Sequence, residues 1–155
     1  MTFWLLCHIA SAFWFVAGLA GRDVTLVRAR AASAIGTIKA LCDTAGVFDR
    51  VMVIPGSIAV LVFGLLAAFT GHWSFADNEW LLAALILYLS SIPLVPLVFL
   101  PKGKVFETAM AEAVSAGEPT PALRDALADR AVWAARWYER AVVAVIVVIM
   151  VTKPF

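Results

Sequence analysis

Two histidines are the only imidazole side chains of the chain, and each lies in or beside an apolar stretch. His8 lies within the uncharged stretch "WLLCHIASAFWFVAG" at residues 4–18, and His72 closes a second stretch. A polar residue inside a hydrophobic span is by default a functional-site candidate. Neutral imidazole is a good axial ligand for haem iron, so His8 and His72 are candidate haem ligands. The alternatives are a hydrogen bond from His8 to a neighbouring helix and a place for His72 in the wet loop.

Small residues accompany both histidines. Helical spacing gives the face of His8 three further residues, which are Ser11, Phe15 and Gly18. Counting back by fours from His72 gives two small residues, Ala68 and Gly64. Small side chains allow another helix, or a flat macrocycle, to approach closely.

A second group with chemical potential is Arg136, Glu139 and Arg140. Their i,i+3 and i,i+4 spacing places all three on one side of a helix. Arg140 either points inward to a carboxylate or a haem propionate, or extends with Arg136 to the lipid headgroups. Histidines near one membrane face and arginines near the other lie too far apart to share one porphyrin.

The elements that must position these residues are apolar and long. Of the 155 residues, 63% are hydrophobic, far more than in a soluble domain. Crossing about 30 Å of hydrocarbon takes roughly 20 helical residues. Such continuous runs span lipid only as helices, because lipid offers no partner to backbone N–H and C=O groups. We predict four spans, at about residues 3–21, 51–71, 80–101 and 131–152.

The charges indicate an orientation. Segments 22–50 and 102–130 carry most of the basic side chains, whereas the loop "HWSFADNE" at 72–79 has no Lys or Arg. The positive-inside rule places both segments in the cytoplasm and both termini outside. Lys153 is then the one basic side chain on the outer side. The prediction is an all-α, four-helix transmembrane bundle, N-out/C-out, with helical cytoplasmic extensions, in a bacterial inner membrane.

The extensions have local patterns of their own. Apolar residues recur at helical spacing after the first span, so this helix continues, either on anionic lipid or packed on its neighbours, until "DTAGVFDR" at 43–50 ends it. A short helix over 104–115 ends at Gly117. Thr120 is a predicted N-cap with Pro121 at the first helical position, and a long helix runs from there into the fourth span.

The sequence contains no motif for several other common kinds of chemistry. The chain contains no Cys-x-x-Cys, no Gly-rich phosphate loop and no His-Glu-x-x-His. Nothing in it indicates a nucleic-acid partner. The partners expected are the lipid bilayer and either further copies of the chain or a larger membrane complex.

Four segments resemble those of four-helix bacterial membrane proteins, namely "CHIASAFWFVAGL", "VIPGSIAVLVFGLLAAFTG", "EWLLAALILYL" and "AVVAVIVVIMVTKPF". One similar family is the uncharacterised "predicted integral membrane protein" family, grouped with the CopD copper-resistance membrane domain. The other is the HemJ type of protoporphyrinogen oxidase, a haem b enzyme. The second resemblance implies that His8 is the haem ligand and that Lys153 matches a lysine near the end of that family.

The chain departs from the oxidase pattern in the third span. Those enzymes carry polar or charged residues soon after Trp-Leu, where this chain has Ala83 and Ala84. Three hypotheses remain open. The first is an accessory, non-enzymatic membrane protein with b-type haem on His8. The others are a HemJ-like oxidase and a structural subunit of a larger complex.

Overall fold

The computed structural model describes residues 2–75 and 77–154, which fall into two compact units that divide after Ser74. The helices are α1 Thr2–Ala31, α2 Ile35–Phe48, α3 Ile54–Thr70, α4 Glu79–Ser91, α5 Leu100–Ala116, α6 Pro121–Leu127 and α7 Arg130–Thr152. Two π-helical turns, Asp49–Val53 and Val95–Phe99, join α2 to α3 and lead into α5.

The predicted all-α fold is confirmed, because the described residues form helices and no strand. Three helical runs within them are long and apolar enough to cross a membrane: Phe3–Ala31, Ile35–Thr70 and Glu79–Ala116. The fourth predicted span corresponds to α7, whose first half carries Arg136, Glu139 and Arg140. These four helical segments are consistent with a helical membrane bundle.

The N-terminal unit is an antiparallel hairpin of α1 against the run from α2 to α3. Its register follows from close contacts at glycines. A Cβ on Gly56 would meet the backbone of Phe15 at 3.1 Å, and one on Gly18 would meet the Met52 side chain at 2.6 Å. The missing side chains therefore let the two backbones approach, as small residues do between membrane helices.

Pro55 explains the π-helical turn in this hairpin. Proline has no N–H and its ring clashes with the carbonyl four residues earlier, which here belongs to Val51. The turn Asp49–Val53 accommodates this defect, as π-bulges do within helices. The indole Nε1 of Trp14 donates to the freed Val51 oxygen at 3.2 Å. A neighbouring helix thus supplies the partner that proline removed.

In the C-terminal unit α4 packs on α7. Trp80 and Ala84 are buried on α4, as are Ala135 and Val142 on α7. The hydroxyl groups of Ser90 and Tyr138 lie 2.7 Å apart and join the two helices.

The end of α5 and the start of α6 confirm two local predictions. Gly117 ends α5 with a φ of 76°, a conformation that glycine adopts without strain. The Thr120 hydroxyl oxygen accepts from the backbone N–H of Leu123 at 3.3 Å, and Pro121 is the first residue of α6.

Three predicted boundaries were wrong. The first extension breaks at residues 32–34, not at "DTAGVFDR", which is helical throughout. The reason is tertiary: the chain reverses early so that α2 packs back on α1, where the Phe48 ring covers Gly21. The helix predicted to start near residue 104 instead begins at Leu100, continuous with the third span.

The third wrong boundary concerns the long helix expected from Pro121 into the fourth span. Helix α6 ends at Leu127, and α7 begins afresh at Arg130. The carboxylate of Asp129 caps α7 by accepting from the N–H groups of Ala131 and Val132 at 2.9 and 3.1 Å. Its other oxygen lies 2.8 Å from Lys102 Nζ. The hydrogen bond from Lys102, followed by the N–H of Val132, holds the pKa of Asp129 below its usual range.

Candidate functional site

His8 contacts α3 at one of its few positions without a side chain. Nδ1 of the ring lies 2.8 Å from the carbonyl oxygen of Val60. A Cβ on Gly64 would lie 2.9 Å from Nδ1 and 3.0 Å from Cε1. Gly64 therefore makes the room that allows the imidazole to reach a backbone oxygen within α3. The hydrogen bond to a neighbouring helix, one of the two alternatives for His8, is present.

The same hydrogen bond sets the tautomer. A carbonyl oxygen only accepts, so Nδ1 carries the proton and donates it. Nε2 makes no hydrogen bond within residues 2–75 and 77–154, and in a neutral ring with this tautomer it carries the lone pair. Nδ1 and Cε1 of this half-buried ring face Gly64, and Nε2 is not among the three ring atoms nearest a Cβ at that position. This is the tautomer that ligating histidines adopt when a backbone carbonyl orients them.

The surroundings of His8 are aromatic on one side and small on the other. One turn before it, Trp4 stacks on Phe63 with the ring centroids 6.0 Å apart. One turn after it, a shallow groove of about 340 Å³ runs along the same pair of helices and is lined by Ala10, Ser11, Trp14, Pro55, Gly56 and Ala59. His8 itself does not line this groove.

His72 lies elsewhere in the hairpin, exposed in the turn after α3. It occupies the first position beyond the cap residue Gly71, with a φ of 56°. Backbone N–H groups of His72 and Trp73 donate to Phe69 and Ala68, which completes a Schellman motif. Glycine is the usual residue at this position. Gly64, grouped with His72 by spacing, packs on His8 instead.

Arg136, Glu139 and Arg140 are half-buried on α7. The guanidinium of Arg140 lies 4.1 Å from the centroid of the Trp137 ring, and its Nε donates to the carbonyl of Arg136 at 3.2 Å. The guanidinium of Arg136 lies 5.8 Å from the centroid of Phe99. Both arginines therefore make cation–π contacts within their own unit.

Lys153 lies just beyond α7 with a φ of 43°. Its ammonium is 5.1 Å from the centroid of the Trp80 ring, at the start of α4. This contact places the last lysine on the aromatic residue that opens the third span.

The ion cluster around the buried Arg22 was not predicted from the sequence. Arg22 is 4% exposed inside the run Phe3–Ala31, where its Nε and Nη1 lie 3.3 and 3.2 Å from carboxylates of Asp23 and Asp49. A buried charge needs such partners. This pairing follows from the register of the hairpin, which was not predicted. When His8 packs on Gly64, the antiparallel arrangement brings Arg22 to Asp49.

His8 is the residue that would hold a haem iron. Within the described part of the chain, no three His, Cys, Asp or Glu side chains gather as a metal site. Haem iron needs less from the protein, since one proximal imidazole can hold it. His8 is oriented through Nδ1, so Nε2 is the ring nitrogen that would hold the iron.

Long apolar helices, a glycine-packed hairpin and one oriented intramembrane histidine define the class: a helical integral membrane protein. The family model described as "Predicted integral membrane protein (DUF2269)" matches residues 3–154. The chain belongs to this family. No curated protein and no solved structure matches it significantly.

Proposed function

We propose that the chain is an accessory, non-enzymatic membrane protein that holds one b-type haem through Nε2 of His8. The observation that carries the proposal is the 2.8 Å hydrogen bond from His8 Nδ1 to the Val60 carbonyl. It orients the ring and leaves Nε2 as the electron-pair donor. When bound, a b-type haem supplies one-electron redox chemistry.

The setting that we propose is a bacterial inner membrane with both termini on the outer side. The support is the charge of segments 22–50 and 102–130 against the loop 72–79, which has no Lys or Arg. His8 then lies in the outer half of the bilayer. Lipid covers the outward apolar faces, where Phe13 and Leu97 are 74% and 73% exposed. Further copies of the chain or a larger complex are the protein partners expected.

The oxidase alternative has weaker support in the residues. At the third-span positions where HemJ-type enzymes carry polar groups, this chain has Ala83 and Ala84, and Ala84 is buried. Turnover of protoporphyrinogen by the purified chain would favour that alternative over an accessory role.

The experiment that tests haem binding is a visible spectrum of the chain in mild detergent, first oxidised and then reduced with dithionite. We expect a Soret band and sharpened α and β bands in the reduced form. His8→Ala should lose them, whereas His72→Ala and Arg140→Ala should keep them. His72→Ala is the matched control because it removes the other imidazole. Unchanged haem content in His8→Ala refutes the ligand assignment.

A haemin titration separates lost affinity from poor loading during expression. The chain purified without haem should bind one equivalent of added haemin, and His8→Ala should not. If neither protein responds, His8 serves only to join α1 to α3, and the accessory role has no redox centre.

A further inference from the structure

A groove of about 390 Å³ opens between α1 and α2 in the N-terminal unit. Its walls are mostly apolar: Ala20 and Val24 contribute from α1, and Leu41 and Phe48 from α2. The Phe48 ring lies directly on Gly21, and both residues line the groove. The groove is open rather than enclosed, which suits a flexible chain better than a compact solute.

A single cation lines this apolar groove. Arg28 is exposed, and its guanidinium makes no hydrogen bond or ion pair within residues 2–75 and 77–154. Two neighbouring cations are paired, Arg22 with Asp49 and Lys39 with Asp43, the latter at 2.5 Å. Arg30 has no ion pair among the described residues, but it does not line the groove. The groove therefore combines hydrocarbon-like walls with one uncompensated positive charge.

The position of the groove matches a bilayer boundary. Helix α1 ends at Ala31, and the neighbouring side chains of Val24 and Val27 are 59% and 63% exposed. Apolar side chains exposed beside arginine are typical of a helix end, where the arginine stem lies in hydrocarbon and its head reaches the phosphates.

We propose that this groove binds one anionic phospholipid, with an acyl chain between α1 and α2 and the phosphate on Arg28. The walls match a hydrocarbon chain, and the planar guanidinium binds phosphate oxygens in a bidentate manner. Charge complementarity favours an anionic lipid over a zwitterionic one. This site is separate from His8 and does not depend on haem.

The test is native mass spectrometry of the full chain in detergent with equal amounts of phosphatidylglycerol and phosphatidylcholine. The parent chain should retain one phosphatidylglycerol preferentially. Arg28→Gln should lower that preference about fivefold, the effect expected for one basic residue at a membrane surface. Arg28→Lys should keep most of it. Lys104→Gln is the matched control, because it removes an exposed charge from the other unit and should change nothing.

A second variant tests the apolar part of the site. Val24→Trp fills the groove at an exposed position and should reduce retention of both lipids, with the unfolding midpoint reporting that the hairpin stays folded. Equal phosphatidylglycerol preference in Arg28→Gln and the parent overturns the proposal. Displacement of the lipid by glycerol phosphate at equal concentration also overturns it, because that competitor has the headgroup chemistry and no acyl chain.

Discussion

Replacing Gly64 with alanine tests the contact that holds His8 against α3. The added Cβ would lie 2.9 Å from Nδ1 and 3.0 Å from Cε1 of the ring. Carbon atoms without a bond between them normally approach to about 3.5 Å. The ring must therefore move, and its hydrogen bond to Val60 lengthens or breaks.

The expected cost follows from three contributions. A lost hydrogen bond costs about 1 kcal/mol. Overpacking a close contact costs about 1–3 kcal/mol. Replacing glycine with alanine within a helix stabilises the helix by about 1 kcal/mol. We therefore expect Gly64→Ala to lower the free energy of unfolding by about 1–3 kcal/mol, measured by helical circular dichroism in mixed micelles with increasing dodecyl sulfate.

Two comparisons make this prediction specific to His8. Gly36→Ala is the matched control, since a Cβ there meets nothing within 4 Å, and it should be neutral or stabilising. In a His8→Ala background the clash disappears. The effect of Gly64→Ala on the free energy of unfolding should therefore change sign, so that the substitution stabilises the hairpin. Equal destabilisation by Gly64→Ala in both backgrounds would refute the contact.

Three further perturbations have expected outcomes. Trp14→Phe leaves the Val51 carbonyl without its indole donor and should cost about 1 kcal/mol in the same unfolding assay; an unchanged midpoint would mean that the bond contributes nothing. His72→Gly should stabilise by about 1 kcal/mol, because a side chain in the left-handed region is strained; a loss of stability would contradict that reasoning. Asp129 has a lowered pKa in the folded protein, so it contributes to the free energy of unfolding. That contribution is complete above the carboxyl pKa of the unfolded state and is lost as the pH falls through the pKa of the folded state. Asp129→Asn should therefore remove part of the acid-side loss of stability, and identical pH profiles would argue against the pairing with Lys102.

Local signals predicted the helices well, because capping and apolar runs act within a few residues. Thr120 and Gly117 lie where their chemistry indicates. The break at residues 32–34 could not be predicted in this way. It depends on α2 packing back on α1 through Phe48 and Asp49, and these contacts join residues far apart in the chain.

The candidate site shows the same difference between local signals, which were predictable, and contacts between distant residues, which were not. His8 stood out as a polar group in an apolar span, and its bond to a neighbouring helix was one of the alternatives. Which residue would face it was not predictable. Spacing along α3 grouped Gly64 with His72, whereas the antiparallel register of the hairpin turns Gly64 toward His8. By spacing alone, this strip of small residues could pack on either histidine. Only the register of the hairpin shows that it packs on His8.

The structural and ligand roles of His8 use different nitrogens, so one substitution separates them. Asparagine places an amide nitrogen one bond beyond Cγ, where histidine carries Nδ1, but has no atom equivalent to Nε2. We expect His8→Asn to keep the bond to Val60 and to unfold within about 0.5 kcal/mol of the parent, since its net cost is below that of one lost hydrogen bond. Its haem bands should nevertheless vanish, whereas His8→Ala should lose both stability and haem. Haem retained by His8→Asn would mean that Nε2 is not the ligand atom. If instead both variants lost stability equally, the Nδ1 bond would not be what joins α1 to α3.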